Sequence, residues 1–124
     1  MKNIFVALVI AVILIACSKN NNTPIDPIDA QIIAKWQVDS IFHFNRRIPV
    51  DTVIGTINDY YNFTINKILY SKVGDATDTA KWAQNGKCIL LDYQAYEILK
   101  LSSNQFHIYL SKFPFGETYI KLKK

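Results

Sequence analysis

The side chains with reactive chemistry in this chain are few and widely spaced. The thiolate of a cysteine such as Cys17 is a nucleophile and a metal ligand, and the imidazoles of His43 and His107 can act as general bases or metal ligands. Neither histidine has a cysteine or a carboxylate at the spacing of a zinc motif, and Asp75 and Asp78 lack the dense alternation of a calcium loop. The four glycines form no phosphate-binding loop. We therefore expect a protein that is not an enzyme and that uses no metal or cofactor.

Cys17 is distinguished by its position at the end of the most apolar part of the chain. Residues 4–16 form an unbroken apolar run of 13, preceded by the single basic residue Lys2 and followed by polar residues from Ser18 onward. The run is too short to cross a bilayer, which takes about 20 residues, but it suits the core of a secretory signal. Residues 1–16 are therefore predicted to form a signal helix.

The motif Leu14-Ile15-Ala16-Cys17 resembles the lipobox of bacterial lipoproteins. The resemblance implies that the Cys17 thiol carries diacylglycerol, that the leader is cut just before it, and that the membrane is a partner through these palmitate-like chains. Residues 17–30, which are polar and contain Pro24 and Pro27, are then a lipidated flexible tether. Ordinary signal cleavage beside an incidental cysteine is the alternative.

The same resemblance gives an expected location. In that family an aspartate after the cysteine retains the protein at the inner membrane, and this chain has Ser18 there, which favours a lipid anchor in the outer membrane. No acidic cluster follows Cys17, which favours the periplasmic face over the cell surface. The net charge of +4 is mild and evenly spread, so no nucleic-acid partner is expected.

Residues 31–124 read as an all-β domain. Short apolar or alternating segments recur with turn chemistry between them, including Asn85-Gly86, a strong hairpin signal. In the first strand the alternation predicts that Trp36, Phe42 and Phe44 face inward and that His43 faces outward. Seven or eight short antiparallel strands can bury one face each by closing into a small up-and-down β-barrel. A two-sheet β-sandwich is the alternative.

Several motifs of this domain resemble the lipocalin-like domains of bacterial envelope lipoproteins. Ala34-Lys35-Trp36 stands where those domains have Gly-x-Trp, and Tyr61-x-Phe63-x-Ile65 resembles their second strand. The segment from Tyr96 to Ile108 resembles their penultimate hairpin, and Thr118 to Lys124 their closing strand. The resemblance implies a lipocalin-like barrel in which Trp36 plugs the closed end.

Function is expected to be non-catalytic binding. Six residues are predicted to be core or to line a cavity for a small apolar ligand: Trp36, Phe63, Tyr96, Ile98, Phe106 and Ile108. The alternative is an interaction module of the cell envelope that has a filled barrel and binds another protein. In that case Phe113 and Phe115, on the turn before the last strand, are candidate partner contacts.

Overall fold

The computed structural model describes residues 27–112 and 116–124. In these ranges one short helix, α1 (Pro27–Ile32), is followed by nine strands. The strands are β1 (Ala34–Asn45), β2 (Ile48–Ile54), β3 (Tyr60–Phe63), β4 (Ile68–Val73), β5 (Ala76–Asn85), β6 (Cys88–Leu91), β7 (Gln94–Leu101), β8 (Gln105–Ser111) and β9 (Glu117–Lys123).

Eight of the strands close into an antiparallel up-and-down barrel. Strands β3 to β9 follow one another around the wall, and β1 pairs with both β3 and β9 to close it. The ninth strand, β2, pairs with the far half of β1 and lies outside the closed ring. The prediction of an all-β barrel is confirmed, the sandwich alternative is excluded, and the architecture fits a lipocalin-like fold.

The barrel interior is packed with aromatic and aliphatic side chains. The Phe106 ring centroid lies 5.6 Å from those of both Trp36 and Phe63, and the Phe63 centroid lies 5.6 Å from that of Trp82. All four rings are at least 98% buried. Aromatic pairs at this separation add to the free energy gained by burying their area. This level of the barrel is therefore filled by the protein's own side chains.

Helix α1 covers the end of the barrel next to these rings. Ile32 is fully buried, and its carbonyl accepts a hydrogen bond of 2.9 Å from the Trp36 indole Nε1. The Lys67 ammonium pairs with the carboxylate of Asp29 and lies 4.1 Å from the Trp82 ring centroid. A helix this short is marginal by itself. These contacts hold it on the barrel.

A β-bulge at Asp39 changes which face of β1 points inward. Val38 lies opposite Leu122 of β9, but the next pair is Ser40 with Lys121, so Asp39 is an extra residue in the ladder. Because side chains alternate along a strand, one extra residue exchanges the two faces. Asp39 itself turns outward and forms an ion pair of 3.1 Å with Lys123.

The bulge overturns part of the expected alternation. Ile41, predicted to face outward, is 94% buried in the core, while Phe42 and Phe44 point to the outer side of the wall. His43 shares the inner face with Ile41, and its Nδ1 lies 3.2 Å from the Thr118 hydroxyl. The regular alternation of inward and outward side chains along β1 therefore holds only up to Val38.

Gly55 marks the point where the chain leaves β2 and crosses back toward β3. Its N–H donates to the Asp39 carbonyl at 2.9 Å, and a Cβ at this position would lie 1.8 Å from the Val38 carbonyl oxygen. The following turn is held by Asp59, whose carboxylate accepts hydrogen bonds of 2.8 Å from the backbone N–H groups of both Thr56 and Gly74. Glycine therefore permits β2 and β3 to share one edge of β1.

The structure departs from the sequence analysis at two places and confirms a third feature, the hairpin at Asn85-Gly86, with its turn one residue later. Ile48–Ile54, which the sequence analysis did not identify as a strand, forms β2, where Pro49 is tolerated because the outer edge makes no ladder with another strand of the described chain. Ile65 lies in a turn and is 61% exposed. In the β5–β6 hairpin Asn85 belongs to the strand, and Gly86 at φ 59° begins the turn, the arrangement of a type II′ turn.

A candidate ligand groove on the outer wall

Aromatic side chains form a row on the outer face of three neighbouring strands. Tyr119 of β9 lies directly opposite Tyr109 of β8 on one side and Phe42 of β1 on the other. The Tyr109 and Tyr119 ring centroids are 4.5 Å apart, and the Phe44 ring meets Tyr119 edge-on at 5.6 Å. All four rings are half-buried. The aromatic row is therefore both packed and partly accessible.

A groove of about 610 Å3 lies over this row. Its apolar lining comes from Phe42, Phe44, Tyr119 and Leu99. Leu99 is the extra residue of a second bulge, in β7, because Ile98 pairs with Ile108 and the next pair is Lys100 with His107. Its side chain is 48% exposed. Bulges often redirect a side chain beside a site, and here two of them supply apolar walls to one groove.

The groove is apolar in its middle and charged at both ends. Glu117 and Arg47 line one end, beside Phe44. Lys121 lines the other end, and its ammonium lies 5.3 Å from the Phe42 ring centroid. A volume of several hundred Å3 with an aromatic lining and a few polar groups is typical of small-molecule sites.

Arg47 reaches the groove from a tight turn. Arg46 and Arg47 are the central residues of the β1–β2 hairpin and have φ of 51° and 67°. Two positive φ values define a type I′ turn, for which Asn-Gly is the favoured sequence, and a side chain with Cβ costs roughly 1 to 2 kcal/mol there. The basic pair gave no sign of this role in the sequence, since arginines in a polar loop are common.

Lys121 belongs to a cationic row next to the aromatic one. His107 of β8 lies opposite Lys100 of β7 on one side and opposite Lys121 of β9 on the other. Burial lowers the pKa of His107, and the two lysine ammonium groups beside it lower that pKa further. Lys100 and Lys121 therefore flank an imidazole that is neutral at physiological pH, and like charges this close on one face of a sheet destabilise it, so folding does not favour this arrangement.

The six predicted core or cavity residues lie together inside the barrel. Five are at least 92% buried and Ile98 is partly buried against the same core. Trp36, Phe63 and Phe106 fill the level next to α1, while Tyr96 lies toward the other end, with its hydroxyl 3.4 Å from the Gln94 side-chain oxygen. The structure thus brings them together as packing partners. A ligand contact for any of them stays a prediction.

Tyr61 is the most perturbed titrating group on the inner wall. Burial raises its pKa to about 12, and the neighbouring Tyr96 and Asp78 raise it as well. Burial also raises the pKa of Tyr96. Both phenols are therefore neutral at physiological pH, and neither is prepared to act as a base.

Cys17, Phe113 and Phe115 lie outside the described residues. Within residues 27–112 and 116–124, no helix is long and apolar enough to cross a membrane, and no group of three or more metal-ligating side chains could hold an ion. His43 and His107 lie on opposite faces of the wall. The sequence missed the groove because its walls come from three strands and the β1–β2 turn, whose outer residues meet only in the closed sheet.

No protein-family model, no curated protein and no solved structure matches the chain.

Proposed function

We propose that this chain is a lipid-anchored envelope protein whose barrel binds a small apolar ligand without catalysis, in the groove on its outer wall. The observation that carries the proposal is the apolar middle of the groove, formed by Phe42, Phe44, Tyr119 and Leu99. Exposed aromatic rings and an exposed leucine have no reason from folding to gather over one concavity. The barrel interior is a poorer candidate, because its rings occupy the space that a ligand would need.

A neutral fluorescent probe tests the groove. N-phenyl-1-naphthylamine, which fluoresces in apolar surroundings, should bind to the purified barrel domain and should bind at least about tenfold more weakly to Leu99→Glu, since a carboxylate in the groove must be desolvated. Leu99 is 48% exposed, so the substitution leaves the core intact.

Ile57→Glu is the matched control, because Ile57 is 87% exposed on a turn away from the groove. This variant should bind the probe as the unmodified protein does. Equal loss in both variants, or a probe that binds to neither the groove variant nor the unmodified protein, would remove the support for a groove ligand.

The anchoring part of the proposal rests on Cys17 and the lipobox-like motif before it. Cells expressing the full chain should incorporate radiolabelled palmitate into it, and Cys17→Ser should abolish the label. The chain has two cysteines, Cys17 and Cys88, and one Cys17 sulfur can form either a thioether to lipid or a disulfide, not both. Intact-mass measurement of the membrane-extracted protein distinguishes these products, and a disulfide-linked, unacylated chain would contradict the proposal.

A second candidate function is binding to another envelope protein through the β1–β2 hairpin. Ile48, Val50 and Ile54 are 66–70% exposed on β2, whose side chains lie almost entirely outside the core. Pro49 and a bulge at Val50 blunt the free edge of this strand, as sheet proteins do to avoid non-specific pairing. A photo-crosslinker at Val50 should then give one discrete adduct in cells that is lost on Ile54→Ser, while one at Tyr93, exposed elsewhere, should give none.

A further inference from the structure

The cationic row of Lys100, His107 and Lys121 lies at one end of the groove, so the two ends of the groove differ in charge. Lys100, His107 and Lys121 lie side by side across β7, β8 and β9. Lys121 also lines one end of the groove. Leu99 links the two regions, because it lines the groove and precedes Lys100 directly. The groove thus runs from a cationic end across an apolar floor.

The opposite end of the groove has no such excess of charge. Glu117 and Arg47 line it with opposite signs, so together they contribute no net charge. The two ends are separated along β9 by the four residue steps from Glu117 to Lys121, about 13 Å in an extended strand. A ligand that carries one negative charge therefore meets an attractive end and a neutral end.

Resting on the proposed function of the groove, we infer that its ligand is an amphipathic anion, a molecule with an apolar chain or ring and one carboxylate or phosphate head. The apolar part lies over Phe42 and Tyr119, and the head accepts charge-assisted hydrogen bonds at the Lys100–His107–Lys121 row. An anion between Lys100 and Lys121 also relieves the repulsion that these two ammonium groups exert on each other.

Nearby carboxylates offset only part of the charge of this row. Asp39 on β1 pairs with Lys123 at 3.1 Å, and it also interacts electrostatically with His107 and Lys121. Glu117 lies opposite Phe44, four pairs away from the position where Lys121 faces Ser40. The Lys121 ammonium lies over the Phe42 ring rather than in an ion pair of the described residues. Lys100, Lys121 and Lys123 together carry more positive charge than Asp39 offsets, so an excess of positive charge remains beside the apolar floor.

Four ten-carbon probes separate the contribution of the apolar chain from that of the head group. Decyl phosphate and decanoate carry the anion in two forms, decanol is neutral, and decyltrimethylammonium is a cation. Calorimetric titration of the purified protein should give tighter binding for both anions than for decanol, and weaker binding for the cation. The anion preference should shrink as salt is raised, because partly exposed charges are screened.

Lys121→Gln tests the head site. It should weaken decyl phosphate binding about fivefold, in the range of partly exposed ion pairs, and leave decanol binding unchanged. Lys87→Gln, an exposed lysine on the β5–β6 turn, should change neither. A preference for decanoate over decyl phosphate, or the reverse, identifies the head group without affecting the inference.

The other outcomes are distinct. If all four probes bind equally and Lys121→Gln has no effect, the inference is overturned while the proposed groove function stands. If no decyl probe binds and N-phenyl-1-naphthylamine also fails, both are overturned. If the protein sediments with phosphatidylglycerol vesicles but binds no monomeric decyl anion, the surface recognises a membrane plane, and the inference of a single bound molecule is wrong.

Discussion

The barrel wall has aromatic side chains on both faces, and the two sets differ in what surrounds them. Inside, Trp36, Phe63, Trp82 and Phe106 contact one another and are at least 98% buried. Outside, the row of Phe42, Phe44, Tyr109 and Tyr119 makes ring contacts at similar distances but stays half-exposed beside a groove. The inner set is complete without a partner, while the outer set leaves apolar area that a ligand can cover.

The difference shows why aromatic content by itself does not locate a binding site. A ring that packs on all sides contributes to the free energy of folding, and removing it leaves a void. A ring packed on one side contributes less to folding and can contribute to binding instead. The predictions below test this division of roles, from the largest expected effect to the smallest.

Removing one ring from each set should show that the inner rings contribute more to the free energy of folding than the outer ones. Phe63→Ala should lower the free energy of unfolding by about 3 to 5 kcal/mol, because it opens a cavity between Trp82 and Phe106. Phe44→Ala should lower it by about 1 kcal/mol or less, since Phe44 is half-exposed. Urea denaturation measures both. Equal losses would mean that the outer row is as much a part of the core as the inner set.

Adding one carbon at Gly55 should disturb β1 beside its β-bulge at Asp39, where the inner and outer faces of the strand are exchanged. Gly55→Ala puts a Cβ 1.8 Å from the Val38 carbonyl oxygen, and the backbone must move, at a cost of about 2 to 3 kcal/mol. Gly86→Ala is the control. Its Cβ meets nothing within 4 Å, so only the positive φ of 59° is unfavourable, by about 1 kcal/mol. A smaller loss of unfolding free energy for Gly55→Ala than for Gly86→Ala would show that the backbone around Val38 can move away from the added Cβ at little cost.

The turn held by Asp59 should weaken in acid. Hydrogen bonds from the Thr56 and Gly74 N–H groups hold the Asp59 pKa below its usual value. A folded pKa below the unfolded one stabilises the protein above the unfolded pKa, near 3.9, and this contribution is lost as pH falls through the folded value. Asp59→Asn should be less stable than the unmodified protein at pH 7 and should lose less on acidification. Parallel acid titrations of the two proteins would contradict this.

The inner phenol of Tyr61 should make the stability of the protein fall at high pH, whereas Asp59 makes it fall at low pH. Its pKa is raised to about 12, so the neutral form is favoured in the folded state. The contribution to stability is fully present below the unfolded pKa, about 10, and is lost as pH rises from there through about 12. Tyr61→Phe should be nearly neutral at pH 7 and should reduce the loss at alkaline pH. Tyrosinate absorbance combined with circular dichroism measures this, and an unchanged alkaline transition would count against burial of the phenol.

Much of the fold could be predicted because its signals are local. Alternating segments and turn residues indicated an antiparallel barrel, and Trp36, Phe63 and Phe106 were identified as inner residues before any contact was known. The prediction failed where pairing, rather than composition, controls the strand. β2 contains a proline and carries mostly exposed side chains, so it lacks the pattern of a half-buried strand.

The groove could not be predicted for a related reason. Leu99 and Phe44 reach it only because bulges in β7 and β1 change the side to which they point. A bulge is set by the match between two ladders, and a single strand carries no clear mark of it. The sequence analysis therefore placed Phe42 and Phe44 inside and sought a binding site within the barrel.

The all-β class and the inner position of Trp36, Phe63 and Phe106 follow from the sequence by itself, because short segments with apolar residues at every second position must bury one face in an antiparallel sheet. Only the tertiary structure decides which residues become neighbours on the outside. There the partners of Lys121, Tyr119 and Phe42 depend on the register of β8, β9 and β1, and one extra residue at Asp39 is enough to exchange the inner and outer faces.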